Sequence, residues 1–260
     1  MPLKAQDLRK GQKPKAPLDA KVVWTRPDTR RRAPPTREAI VNVAVSLADD
    51  KGLDAVSIRQ IATRFDIRPM SVYRYAGIES KEELFELMID TVCAEMLLTK
   101  DRRKGWRKTL REISIRSRSV LILHPWWIEL VGRRVLIGPN AMRYREQSLA
   151  TVADLQVAQE RKMAIVTALE AYTVGHASLA IDRSGSLRKA DPGFEAWRKD
   201  IESYQRSLIA TGDFPNIAEL GTTGTPSPED LEGMFLFGLD CLLGGIADFL
   251  ATANLAAKEG

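Results

Sequence analysis

Ser71, Tyr73, Arg74 and Tyr75 stand within five positions of one another in "IRPMSVYRYAGIES", residues 67–80. Hydroxyls, phenols and a guanidinium so close together have the hydrogen-bonding repertoire that reads base edges and grips phosphates. They do not form a catalytic set. The chain has no H-E-x-x-H, no P-loop, no G-x-G-x-x-G and no nucleophile with a nearby base, and its two histidines, His124 and His176, are 52 positions apart. "GTTGT" at 221–225 has no following lysine and is more simply a flexible linker than a phosphate loop. An enzyme is therefore not expected, nor is a cofactor or a metal site: Cys93 and Cys241 lie far apart, without ligand spacing. A reducing cytoplasm suits them.

The elements that must position those side chains follow from periodicity. Thr36 is placed to cap a first helix with Ile40, Ala44, Leu47 and Ala48 on one stripe and Gly52 just past its end. Ser57 with Gln60 makes a capping-box pattern for a second, two-turn helix whose inner face is Ile58, Ile61, Ala62 and Phe65. Asp66 sits at a tight break, where a left-handed conformation is tolerable, and Pro69 opens a third helix. Ser80 and Glu83 form a second capping box for a fourth helix that turns Leu84, Leu87, Met88 and Thr91 inward. Two short helices around a three- to four-residue break, braced before and after, make a helix-turn-helix. At about 100° per residue, Pro69, Val72, Tyr73 and Ala76 share one side of the third helix, and Met70, Ser71, Arg74 and Tyr75 share the other. A two-turn helix that spends half its surface on such residues suits a DNA groove better than a core.

Residues 36–98 resemble the DNA-binding domain of the TetR family of transcriptional repressors. The likeness rests on "TREAIVNVAVSLADDKGLDAVSIRQIATRFDIRPMSVYRYAGIESKEELFELM", in particular "SIRQIA", "SVYRY" and "SKEEL". The resemblance implies that Arg59 contacts a base or phosphate and that Ser71 faces base edges. It also implies that Tyr73 and Lys81 reach phosphates, and that Tyr75 holds a position often given to histidine or tyrosine. Ser57, Arg68, Pro69, Met70 and Arg74 complete the expected DNA-binding set. The sequence departs from the family pattern at Asp66, where glycine is usual, and in "AGIES", which is about two residues longer than the common link.

Residues 1–35 hold ten Lys or Arg against three Asp, a surplus of seven; with the total at +5, the rest of the chain carries −2. This proline-rich arm reads as disordered. It suits a phosphate backbone or minor groove, and it equally suits a role in solubility.

Residues 99–260 read as helical throughout, so the fold class is all-α: a helix-turn-helix domain at 36–98 and a regulatory and dimerisation domain at 99–260. Helices are expected at 106–123, from Trp126, at 141–155, 158–183, 193–212 and 228–255, with loops between them. The apolar stretch Met234–Leu250 contains Asp240 and Asp248, which points to a buried helix and away from a membrane span. Ala164, Ala168, Ala171 and Gly175, continuing to Ser178, form one stripe of small residues at helical spacing, and Met234, Gly238, Cys241 and Gly245 form another. Such seams let backbones approach closely. They fit packing within one chain or a four-helix bundle between two, and the second is how the resembled family dimerises. A two-fold dimer is also what a helix-turn-helix reader of a palindromic operator requires.

This part is similar to the C-terminal domain of the tetracycline repressor in "LHPWW", "GPNAMRYREQSL", "EAYTVGHASL", "GDFPNIAEL" and "FGLDCLLGGIADF". The family's magnesium-coordinating histidine has no counterpart in "IELVGRR", although its arginine aligns with Arg134. Tetracycline is thus disfavoured as inducer while a pocket for an unidentified small-molecule effector stays expected. His124, Trp126, Trp127, Met142, Tyr172 and His176 are its candidate contacts, each equally readable as packing or capping. An adaptor that has lost DNA binding is the remaining alternative, and the outward Ser71, Arg74 and Tyr75 count against it.

Overall fold

Three of the four α-helices of the N-terminal region begin where a side chain takes up an orphan N–H, as the computed structural model shows. It describes residues 33–98, 105–131, 137–184, 193–219 and 228–259. The Thr36 hydroxyl accepts from Ala39 N at 3.1 Å and opens α1 (Arg37–Lys51). Ser57 accepts from Gln60 N at 3.2 Å and opens α2 (Ile58–Phe65). α3 (Pro69–Ala76) starts on its proline. Ser80 accepts from Glu83 N at 3.2 Å and opens α4 (Lys81–Met96), while the Glu83 carboxylate reaches back to Glu79 N at 2.9 Å. Each cap satisfies a donor that would otherwise be unpaired.

Asp66 takes φ 54° and ψ 47°, the left-handed conformation that lets α2 stop and α3 start without a glycine. Gly77, at φ 64°, ends α3, and the next residue, Ile78, donates to Tyr73 O at 3.1 Å while burying its side chain. The longer link before Lys81 is thus a helix stop with a hydrophobic plug. A short 3₁₀ turn, Leu53–Ala55, precedes α2 and was not anticipated.

The remaining helices are α5 (Trp106–Leu123), α6 (Trp126–Val131), α7 (Pro139–Val152), α8 (Gln159–Ser184), α9 (Phe194–Ile209), α10 (Pro215–Glu219) and α11 (Pro228–Glu259). No strand occurs among the described residues. α7 spans 139–152 where 141–155 was expected, and the cause is a contact from another helix. The Asp90 carboxylate of α4 accepts from Asn140 N (2.9 Å), Ala141 N (3.0 Å) and Asn140 Nδ2 (3.1 Å), capping α7 from outside. A Cβ on Gly138 would lie 2.2 Å from Asp90 Oδ1, so this glycine makes room for the cap. α10 lies in the stretch taken as a loop; five residues are too few to show a period. The basic arm before residue 33, Arg134 and the "GTTGT" segment lie outside the described residues.

One hydrophobic core runs from Ile40, Val41 and Ala44 of α1 through Leu84, Met88 and Cys93 of α4 to Trp126, Trp127 and Ala141 beyond residue 99. A second core joins α5, α8 and α11 through Leu110, Leu169, Phe235, Leu239 and Leu243. α4 is therefore shared: its first turn faces the helix-turn-helix and its last turns are built into the regulatory half. At about 1.5 Å per residue this 16-residue helix is a rod of about 24 Å.

Candidate functional site: a DNA-reading head and an effector cavity

On α2 and α3 the inner residues Ile61, Ala62, Val72 and Ala76 are buried, which leaves the other faces to water. Arg59, Arg68, Pro69, Met70 and Arg74 are exposed, Met70 at 74%. Ser57 and Ser71 are partly exposed, and Ser57 is engaged as the α2 cap. Tyr73 is half-buried against the core, as its place on the inner side predicts. The helical wheel assigns Tyr75 to the outer face with Ser71 and Arg74, but its ring is also half-buried against the core. Its hydroxyl accepts from Arg74 Nη2 at 2.9 Å, and the guanidinium lies 4.7 Å from the ring centroid. That pairing holds Arg74 in place. Pro69, expected on the inner side, is exposed because the first turn of α3 overhangs the core. Lys81, in the first turn of α4, extends over the Phe85 ring at 5.0 Å. Arg37 of α1 donates to Ala76 O at 2.6 Å, so the C-terminus of α3 is fastened by a cation from another helix.

Further along α4 lies a cavity of about 340 Å³. Its walls are Cys93 and Met96 of α4, Ser117 and Leu121 of α5, Trp127 of α6, Ala141, Tyr144 and Arg145 of α7, and Thr167, Glu170, Ala171, Thr173 and Val174 of α8. The size suits a small organic molecule. Its polar groups sit in poor solvent. Burial, helped by nearby Asp90, pushes the Cys93 thiol up to about 12, so it stays a thiol. Burial likewise raises the Tyr144 phenol to about 12, offset in part by a hydrogen bond from the Ser117 hydroxyl at 3.0 Å. The Glu170 carboxyl is raised by burial, with Arg145 acting against the shift. The indole N–H of Trp127 approaches the Cys93 sulfur, a weak acceptor, but is buried without a hydrogen bond of ordinary geometry.

Among the described residues expected to contact an effector, only Trp127 lines this cavity. His124 is instead a joint: its Nδ1 lies 2.7 Å from Asp49 Oδ1 of α1 and its Nε2 lies 3.4 Å from Glu95 Oε2 of α4. Burial alone would lower the His124 pKa, but the hydrogen bonds and charges of Asp49 and Glu95 outweigh it and raise the imidazole above its ordinary value. Trp126 is fully buried and donates to the same Asp49 oxygen at 2.6 Å. Met142 is half-exposed on the far side of α7. Tyr172 stacks on Phe235 at 5.6 Å and His176 tilts against the same ring at 5.2 Å, so both belong to the second core. Sequence spacing missed Tyr144, Glu170 and Thr173. Each lies on a helix whose buried face is set by which neighbour crosses it.

Comparison with known proteins agrees with this arrangement. Residues 40–88 match the family described as bacterial regulatory proteins, tetR family, and residues 99–250 match the tetracyclin repressor-like C-terminal domain. The chain belongs to the TetR family. Members are DNA-binding transcriptional regulators that act on operators as dimers and respond to small molecules. The HTH-type transcriptional repressor DrrR1 of Streptomyces coeruleorubidus is 28% identical over 222 residues, covering 83% of this chain and 78% of that one. An HTH-type transcriptional regulator of Saccharopolyspora erythraea is 28% identical over 204 residues, covering 75% and 80%. Among solved structures, the TetR family protein ActR of Streptomyces coelicolor in complex with (S)-DNPA superposes with a TM-score of 0.65 at 25% identity, over 84% of this chain and 99% of that one. ActR in complex with actinorhodin gives 0.66 at 24%.

The face a TetR-type dimer would use is present and uncovered. On α8, Ala164, Ala168, Ala171, Gly175 and Ser178 are exposed, as are Met234, Cys241 and Gly245 on α11. Phe237 beside them is 75% exposed. Gly238 departs from the expected seam. A Cβ there would lie 2.3 Å from Tyr172 Oη, and that hydroxyl donates to Phe235 O at 2.9 Å, so this glycine serves packing within the chain. α8 and α11 are long and apolar enough to cross a membrane by composition alone. Met234–Leu250, expected as a buried helix, lies in α11, which buries one face and leaves an apolar one outside. Asp240 on α11 is bound by Arg111 of α5 at 2.7 Å.

Proposed function

We propose that this protein is a homodimeric repressor that grips a palindromic operator with paired α2–α3 heads and lets go when a small molecule fills the cavity beside α4. The observation that carries this reading is α4 itself, which presents Lys81 at the DNA-facing end and Cys93 and Met96 to the cavity at the other. A ligand that fits only one position of that rod changes the spacing of the two heads, and so shifts the equilibrium by its difference in affinity for the two states. Asp90, which caps α7, and Asp49, held by His124 and Trp126, transmit the same displacement through hydrogen bonds.

In this reading Arg59, Ser71 and Met70 meet base edges, assisted by Ser57, Arg68 and Pro69. Tyr73, Arg74, Tyr75 and Lys81 hold phosphates. Ala164, Ala168, Ala171 and Gly175 of one α8, with Met234, Cys241 and Gly245 of α11, form the dimer seam. Residues 1–35 act as a basic arm, 36–98 as the reader, and 99–260 as the ligand and dimer module. The complex of ActR with actinorhodin supports a small-molecule effector here too. The protein works in the cytoplasm, where its operator is, and performs no catalytic step.

The test is selection of bound sequences from a random DNA pool by the full chain, followed by titration of the winner at fixed salt. A palindrome bound two chains per site is expected, and Arg59→Ala weakens it by about 1–3 kcal/mol while the dimer persists. A non-palindromic site, or unchanged affinity in the variant, refutes the reading.

A further inference from the structure

The cavity holds one carboxylate that nothing in the chain answers. Glu170 projects from α8 into the lining. Among the described residues no hydrogen-bond donor and no cation comes within bonding distance of it, although most of it is withdrawn from water. Arg145, the other charged residue of the lining, is exposed and acts on Glu170 only through space. A second polar group is poorly served: the buried indole N–H of Trp127 has only the weak Cys93 sulfur near it and no hydrogen bond of ordinary geometry. A half-buried carboxylate facing a largely apolar cavity, beside a buried donor without an ordinary partner, is a pair of groups that a ligand can complete.

Resting on the reading of this cavity as the effector site, we propose that the effector is a lipophilic amine whose protonated nitrogen pairs with the Glu170 carboxylate. An anionic ligand would bring like charge against Glu170 in a weakly screened site, and a neutral one would leave the carboxylate's lost hydration uncompensated. An ammonium group restores what burial removed. Arg145 does not supply this service: it is exposed and makes no bond to Glu170. Met96, Leu121 and Val174 receive the apolar body of the ligand, and the rings of Trp127 and Tyr144 favour a cation near them. The amine shifts the Glu170 carboxyl back toward its ionised form as it binds.

The full-length protein is tested with three polycyclic secondary amines, desipramine, nortriptyline and maprotiline, each beside its N-acetyl derivative, which keeps the skeleton and removes the charge. Binding is followed by thermal shift and by tryptophan fluorescence. The free amines are expected to bind roughly tenfold tighter or more than their acetylated partners, and Glu170→Gln, an isosteric neutral change, is expected to erase that preference. Equal affinity within the pairs, a preference that survives in Glu170→Gln, or no binding by any amine overturns the proposal. The thermal transition of Glu170→Gln without ligand shows whether the variant is folded. Operator binding, measured on the same samples, reports separately on the regulator reading, so failure of the amine preference leaves that reading standing.

Discussion

On α2 and α3 most functional side chains stand in water: Arg59, Arg68, Met70 and Arg74 are exposed, and the starts of the helices are set locally, by the Ser57 cap and by Pro69. Around the cavity most lining side chains are buried or half-buried, and their polar atoms are held by partners far off in sequence or by none, as with Ser117 on Tyr144 and the unpaired Glu170. The first arrangement suits a partner that arrives charged and hydrated and is met by flexible cations. The second suits a ligand that must leave water, so its walls are made of groups with altered proton affinity. Between the two lies a third kind of contact, the joint of Asp49, Asp90, Glu95, His124 and Trp126, which belongs to both.

That difference can be broken most severely at the joint. Trp126→Ala removes a fully buried side chain and its hydrogen bond to Asp49, and about 3–5 kcal/mol of stability is expected to go with it. Denaturant unfolding checks this; a loss near zero would mean that reader and cavity are not mechanically joined there. Asp90→Ala strips the α7 cap, with an expected cost of about 1–2 kcal/mol. If α4 carries the signal, this variant also binds operator but responds less to ligand, which operator titration with and without ligand separates from simple destabilisation.

The smallest effect is the most specific. His124 has a raised pKa in the fold, so its contribution is fully present below its unfolded value, about 6.5, and is lost as pH rises through the higher folded value. The advantage of wild type over His124→Gln should therefore shrink from pH 6 to pH 8, read as the difference in melting temperature. A difference that grows with pH would mean that the imidazole is held neutral. Glu170 has the opposite character. Its carboxyl is raised by burial, so it opposes folding once ionised, and Glu170→Gln should melt slightly higher than wild type at neutral pH. A stability gain joined to a loss of ligand preference would mark Glu170 as a binding residue.

The reader was legible in the sequence because its determinants are local. Thr36, Ser57, Pro69 and Ser80 mark helix starts through bonds within one turn, and a short helical wheel assigns Val72 and Ala76 inward, Met70 and Arg74 outward. Where a long-range contact intervened, the wheel failed: the Tyr75 ring found the core, and Arg37 closed α3 from a helix 39 residues away. The cavity was scarcely legible, since its lining is set by how four helices cross a fifth. His124, Tyr172 and His176 were plausible pocket residues by type, yet tertiary packing committed them to a joint and to a core.

The sequence by itself determined the helix-turn-helix, the all-α class and the stripes of small residues, because capping and periodicity are encoded within a few turns, and its motifs carried the family resemblance. Only the tertiary structure decided that Gly238 serves Tyr172 within the chain, that Asp90 caps α7, and that Glu170 faces a cavity with no partner of its own. The physical reason is the same in each case. Whether a polar group is satisfied, and whether a helix face is covered, depends on which distant residue is brought against it, and spacing along one helix carries no record of that.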